Sequence, residues 1–174
     1  HQVQSIHTDV GSRDSAFKAS VSDSVQADLL NEQQLQQLFA DDFEQEVDAA
    51  LEWGEQPDQG WLTMSEEDYP QKLLQISDPP ILLGYKGNKA LLSDPQVAIV
   101  GSRHASKAGA EIAEDFAQYL SSQGLTITSG LALGIDAAAH RGGLQGIGKT
   151  VAVVATGLDR IYPASNKALG QQIV

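Results

Sequence analysis

Apolar positions in this chain follow two regimes. From about Gln96 onward they come in short, nearly unbroken runs separated by stretches of helical spacing. The runs Gln96-Val-Ala-Ile-Val100, Leu125-Thr-Ile-Thr128 and Thr150-Val-Ala-Val-Val-Ala155 read as strands. Between and after them, Ser106–Gln123 (Ile112, Ala113, Phe116, Ala117, Leu120 on one face), Ile135–Leu144 and Asn166–Val174 read as helices. Strands apolar at nearly every position are covered on both faces, and strand–helix alternation produces a parallel sheet. The predicted class is therefore α/β, with a doubly wound, mainly parallel sheet.

The first half is less regular. Residues through Ser24 are rich in Ser, Asp and Gln and read as a flexible leader. Leu29, Leu30, Leu35, Leu38 and Phe39 suit a helix over 25–39, and Phe43, Val47, Ala50 and Leu51 a second over 42–53, with Gly54 as its stop. Pro57–Gly60 reads as a turn and Trp61–Met64 as a short strand. Ser65 ahead of Glu66, Glu67 and Asp68 looks like the capped start of a helix leading to Leu73, Leu74 and Ile76. Asp78-Pro-Pro80 ends it, and Ile81–Tyr85 reads as a strand. Trp53 and Trp61 are expected in the core. The predicted organisation is a leader over 1–24, a helical region over 25–60, and an α/β domain over 61–174 with its core from about 94.

Charge sharpens that division. The 174 residues carry a net −12, and all of it lies in the first half: residues 1–93 hold 17 acidic against 5 basic groups, residues 94–174 hold 6 of each. The acidic total therefore does not exclude a local anion site in the second half. Hydrophobic residues make up 41%, enough for a core, and no run reaches the ~18 residues of a membrane span. With no cysteine, thiolate metal sites and cysteine nucleophiles are excluded, and a cytoplasmic location is expected. A chain that opens on His1 reads as a fragment.

Three predicted strands end in glycine-containing loops: Gly101-Ser-Arg-His104, Ser129-Gly-Leu-Ala-Leu-Gly134 and Ala155-Thr-Gly-Leu-Asp159. The carboxyl ends of parallel strands share one edge, where ligands bind. Glycine lets the backbone come close, and helix N-termini present N–H groups to anions. With Arg103 and several hydroxyls among them, the loops point to a phosphate-bearing ligand. The candidate contacts are Gly101, Ser102, Arg103, Ser106, Ser129, Gly130, Gly134, Asp136, Thr156, Gly157, Asn166 and Lys167. Ser102, Ser106 and Asn166 suit helix capping equally, and Asp136 suits a helix dipole. His140 reads as a packed or hydrogen-bonded histidine. No metal, cofactor or catalytic group is expected.

Two motifs fail on context. Gly143-Leu-Gln-Gly-Ile-Gly-Lys-Thr150 matches the P-loop pattern, but it follows a predicted helix and opens a strand, the reverse of what phosphate binding requires. A dinucleotide fingerprint at Gly101 lacks its second glycine, since Arg103 stands there, and the next strand ends without an acidic residue.

Val97-Ala-Ile-Val-Gly-Ser-Arg103, Ser129-Gly-Leu-Ala-Leu-Gly-Ile-Asp-Ala-Ala-Ala-His140 and Ala152-Val-Val-Ala-Thr-Gly-Leu-Asp-Arg-Ile-Tyr-Pro163 together resemble the DprA/Smf family, DNA-processing protein A. Asp68-Tyr-Pro70, Asp78-Pro-Pro80 and Gly87-Asn88 extend the resemblance upstream, over roughly residues 29–174. It implies an extended Rossmann-like fold that binds single-stranded DNA and helps load RecA recombinase in natural transformation and recombination. It also implies a homodimer in the full-length protein and no enzymatic role. Ala164 stands where the family can place a basic contact, with Lys167 as a substitute, and the chain stops before the family's last strands and winged-helix-like domain. The alternatives are a nucleotide-processing enzyme of the phosphoribohydrolase type, for which no Pro-Gly-Gly motif is present, and a recombinase-binding module without a working DNA site.

Overall fold

The structure, a computed structural model, describes residues 43–174. The expected leader over 1–24 and helix over 25–39 lie outside the described residues. The chain divides into two units between Leu51 and Glu52, and the sheets and loops below belong to the second. The first helix, α1, covers Phe43–Gly54, as the spacing of Phe43, Val47, Ala50 and Leu51 predicts.

Strands β1 (Gln59–Thr63) and β2 (Leu82–Lys86) pair antiparallel, with Trp61 opposite Gly84 and Leu62 opposite Leu83. Leu62 is buried, as is Tyr69, whose hydroxyl donates to the Pro80 carbonyl at 2.6 Å. The helix expected after Ser65 does not form, and the segment holds only a 3-10 turn over Leu73–Gln75. Two local forces oppose it. Glu66 turns back to accept from the Thr63 N–H (2.9 Å) and hydroxyl (3.0 Å), which holds its carboxyl below the usual range. Pro70 then lacks the N–H that a helix at that position needs. The acidic run therefore closes β1 and does not open a helix.

The second half delivers the parallel sheet. Its elements are β3 (Gln96–Ala98), α2 (Lys107–Ser122), β4 (Thr126–Ser129), α3 (Ile135–Gln145), β5 (Thr150–Ala152) and α4 (Lys167–Ile173). Both pairings are parallel in the order β3-β4-β5, with Val97 beside Ile127 and Ile127 beside Thr150. Each outer strand is shorter than its apolar run. Ile99 and Val153 still donate to Thr128 (3.0 Å) and Ser129 (2.9 Å), after which the chain turns into its glycine loop. Val100 and Val153 are exposed as a result.

The core under the sheet consists of Ala117, Ile127 and Ala139, with Ile99 and Leu120 against them. Helix α2 presents small residues to this core: Ala113, Ala117 and Ser121 are buried, whereas Ile112 and Phe116, expected on the inner face, are exposed. The cause is how closely α2 and α3 approach. A Cβ on Gly142 of α3 would sit 2.8 Å from the Ala117 methyl, so only small groups fit the seam. Ser121 closes it by donating to the Gly143 carbonyl at 2.7 Å.

Candidate functional site

The three glycine loops meet at the carboxyl edge of the sheet, where the alternation of strands and helices places them. The first, after β3, lies directly against the second. The Ile135 N–H donates to the Ser102 carbonyl at 3.2 Å, and Gly134 faces the Ser102–Arg103 peptide so closely that a Cβ would lie 2.9 Å from the Arg103 carbonyl carbon. Gly134 has φ +76°, a region closed to most side chains, so both its backbone and the neighbouring loop require glycine. The chain beyond the third loop reaches the second through Asn166, at the end of a 3-10 turn over Ala164–Asn166, whose amide donates to the carbonyls of Leu131 (2.9 Å) and Ala132 (3.1 Å).

Side chains hold the second loop from beneath. Asp136, buried in the first turn of α3, accepts from the N–H groups of Gly130 (3.2 Å) and Ala132 (3.4 Å). His140, one turn further along, is fully buried and accepts at Nε2 from the Leu131 N–H at 3.3 Å. Its Nδ1 lies 2.7 Å from the Thr150 hydroxyl, which gives its single proton to the Ile127 carbonyl at 2.7 Å. Nδ1 is therefore the protonated nitrogen and the ring is neutral. Burial pushes its pKa down to about 4, against a smaller upward pull from Asp136. The loop thus has its shape before any ligand arrives, including Leu131 at φ +60°.

By exposure the predicted site residues fall into two groups, with Gly134 half-buried between them. Ser102, Arg103, Ser106, Gly130, Thr156, Gly157 and Lys167 are exposed, as is Gly101. Ser129, Asp136 and Asn166 are buried, with their polar atoms engaged by the chain itself; the Ser129 hydroxyl donates to Ile99 at 2.6 Å. Ser106 caps α2 by accepting from the Gly109 N–H at 3.1 Å, and Ser102 accepts from the His104 N–H at 3.1 Å. Lys167 opens α4. Among the described residues Arg103 makes no ion pair, whereas Arg141 pairs with Glu114 at 2.8 Å and Arg160 with Asp159 at 3.3 Å. Nothing in the residue pattern marks Leu131 for its left-handed backbone. The Asp136/His140 pair, one turn apart on a helix that follows a glycine loop, was the available signal for the clamp.

The P-loop match has the wrong surroundings here as well. Gly143–Gln145 finish α3, the Gly148 N–H donates to Ser121 at 2.9 Å, and Thr150 is buried with its hydroxyl on Ile127. Among the described residues no group of three or more acidic or histidine side chains is placed to hold a metal ion, and no helix is long and apolar enough to cross a membrane.

The structure is a parallel α/β sheet of Rossmann-like class that carries three glycine-containing loops at its carboxyl edge. The sequence model of the family described as DNA recombination-mediator protein A matches residues 60–174, and the chain belongs to that family. It is 53% identical over 112 residues to the DNA processing protein DprA of Streptococcus pneumoniae, which covers 64% of this chain and 39% of that protein. It is 38% identical over 128 residues to the Smf protein of Escherichia coli, covering 74% of this chain and 34% of that one. The chain thus spans well under half the length of these relatives. Among solved structures it is similar to S. pneumoniae DprA (TM-score 0.65, 47% identity, 75% of this chain and 46% of that one). It is also similar to DNA processing protein A of Helicobacter pylori, a structure concerned with that protein's unique single-stranded DNA binding mode (TM-score 0.57, 31% identity, 66% and 51%).

Proposed function

We propose that the carboxyl edge of the sheet binds single-stranded DNA, with Arg103 as its principal phosphate contact, and that the bound strand is passed to RecA recombinase. The observation that carries this reading is Arg103 itself: an exposed guanidinium, without an ion pair among the described residues, on a loop seated against Gly134 and Ile135. A guanidinium presents a planar fork of donors that suits phosphate oxygens. Ser102, Thr156 and Lys167 are the exposed neighbours we assign to the same strand, with the backbone of Gly101, Gly130 and Gly157. Ser129, Gly134, Asp136 and Asn166 we assign to holding the loops. Family membership and the H. pylori relative support the choice of ligand. Recombinase loading, a cytoplasmic setting and a homodimer of the full-length protein belong to the same reading. Binding without chemistry belongs to this reading too: of the edge's acidic groups, Asp136 is taken up by two backbone N–H groups and Asp159 pairs with Arg160.

A titration with end-labelled oligo-dT tests the reading. A charge-assisted hydrogen bond contributes roughly 1.5–3 kcal/mol, so Arg103→Ala is expected to weaken binding about tenfold to a hundredfold. It should also flatten the dependence of log K on log salt by about 0.7. Arg141→Ala, whose charge is already paired with Glu114, should change little. Equal losses in the two variants would show diffuse attraction and end the assignment.

A further inference from the structure

The segment that joins the third loop to α4 carries an aromatic side chain that the fold leaves unused. Tyr162 is 69% exposed, and among the described residues it has neither a hydrogen bond from its hydroxyl nor a partner for its ring. Other aromatic residues are built into the structure. Tyr69 is buried with its hydroxyl on Pro80, and Tyr85 lies across Gly60, where a Cβ would sit 2.7 Å from its hydroxyl oxygen. Trp61, expected in the core, is 37% exposed, yet its ring is taken up by Trp53 and Gly84. The backbone of Tyr162, by contrast, is held on both sides while its ring is open. Ile161 packs on α4 at Gly170, where a Cβ would lie 2.8 Å from Cδ1. The Pro163 carbonyl accepts from the Asn166 N–H at 2.9 Å, and the Asn166 amide ties this segment to the second loop. Lys167 follows at once, exposed and without an ion pair among the described residues.

We propose that Tyr162 is a base-stacking contact of the loop edge, on whose ring an unpaired nucleobase rests while Lys167 meets an adjoining phosphate. This rests on the single-stranded DNA reading above and deepens it, since Arg103 contacts only the backbone of the strand. A phenol face accepts any base, so the contact adds affinity without sequence preference, and it rejects duplex, whose bases are already stacked. Tyrosine also suits the task because ordering its two side-chain torsions costs little entropy. A lone exposed aromatic is ordinary on a protein surface. What sets Tyr162 apart is an open ring on a fixed backbone, seated against a strand-end loop and followed by a free cation.

Two measurements on the full chain test this. In the first, end-labelled oligo-dT and an abasic sugar-phosphate strand of the same length are titrated in parallel. Tyr162→Ala should lose about fivefold to a hundredfold in affinity for oligo-dT and little for the abasic strand. Its salt slope should match that of the native chain, because no charge is removed. Tyr162→Phe keeps the ring and should stay within about threefold of native affinity. Tyr119→Ala removes a tyrosine of similar exposure from the last turn of α2, at the other end of that helix from the first loop, and should change neither titration. In the second measurement, an iodouracil-substituted strand is irradiated in complex with the native chain, and the adduct is expected on Tyr162 by peptide mass. This arm needs no variant, so a misfolded alanine protein does not decide the matter. Adducts confined to other residues, equal losses on the two strands from a folded Tyr162→Ala, or a phenylalanine variant as weak as alanine would each overturn the stacking contact and leave the Arg103 site standing. Absence of any oligo-dT binding would overturn both.

Discussion

His140 shows how one buried side chain can set the pH range over which a loop keeps its shape. Its folded-state pKa of about 4 lies below the ordinary 6.5, so the folded protein resists protonation that the unfolded chain accepts. The stabilisation that follows is complete above about pH 6.5, is lost progressively as pH falls, and is gone below about 4. A shift of that size corresponds to about 3 kcal/mol. Protonation would also replace the acceptor of the Leu131 N–H with a donor, so the loop should loosen over the same window. Denaturant midpoints at pH 7, 5.5 and 4 check this: the native chain should weaken steeply, and His140→Gln should start lower at pH 7 but lose less on acidification. Parallel curves for the two proteins would mean that His140 does not carry the pH dependence.

Among the elements, the helix ends show why cap and ligand readings of a serine are hard to separate by sequence. Ser106 uses its hydroxyl to accept from Gly109, so removing it should cost α2 about 1 kcal/mol. Ser106→Ala is expected to lower the melting temperature measurably, and Ser106→Asp, which keeps a capping oxygen, to restore it. A Ser106→Ala variant of unchanged stability but impaired DNA binding would move the residue from cap to ligand contact. The same paradox of local rules explains what was legible. Apolar runs and alternation placed β3, β4, β5 and the helices between them, because burial on both faces leaves a plain pattern. The segment after Ser65 misled, because a capping serine followed by acids is a helix signal only when the carboxylates are not captured by the preceding strand, as Thr63 captures Glu66. Helix α2 misled in the opposite sense. Its large apolar residues gave the correct period but the wrong face, since the inner face depended on the smallness of Ala113, Ala117 and Gly142. The carboxyl-edge loops were found by their glycines. Their division into exposed groups and buried clamps was not, because it depends on which partner each polar group finds, up to thirty-five residues away.

For the molecule as a whole, charge decides what form the proposed DNA binding can take. A net charge of −12 repels a polyanion at long range, and the zero balance of residues 94–174 offers no broad basic face to counter it. Duplex binders that rely on many phosphate contacts show steep salt dependence. Here the exposed cations assigned to the strand are Arg103 and Lys167. Two such contacts give a slope of log K on log salt of only about −1.4 for a single strand. The remaining affinity must come from unpaired bases and preformed loop N–H groups, neither of which duplex can use fully. Single strands should therefore outcompete duplex of equal length, and the preference should persist as salt rises, because the contacts that discriminate are the uncharged ones. Competition between oligo-dT and a duplex of the same length, at several salt concentrations, measures both quantities. A preference that vanishes at high salt, or a slope much steeper than −2, would mean that the chain holds DNA by a wide electrostatic surface and not by the loop edge.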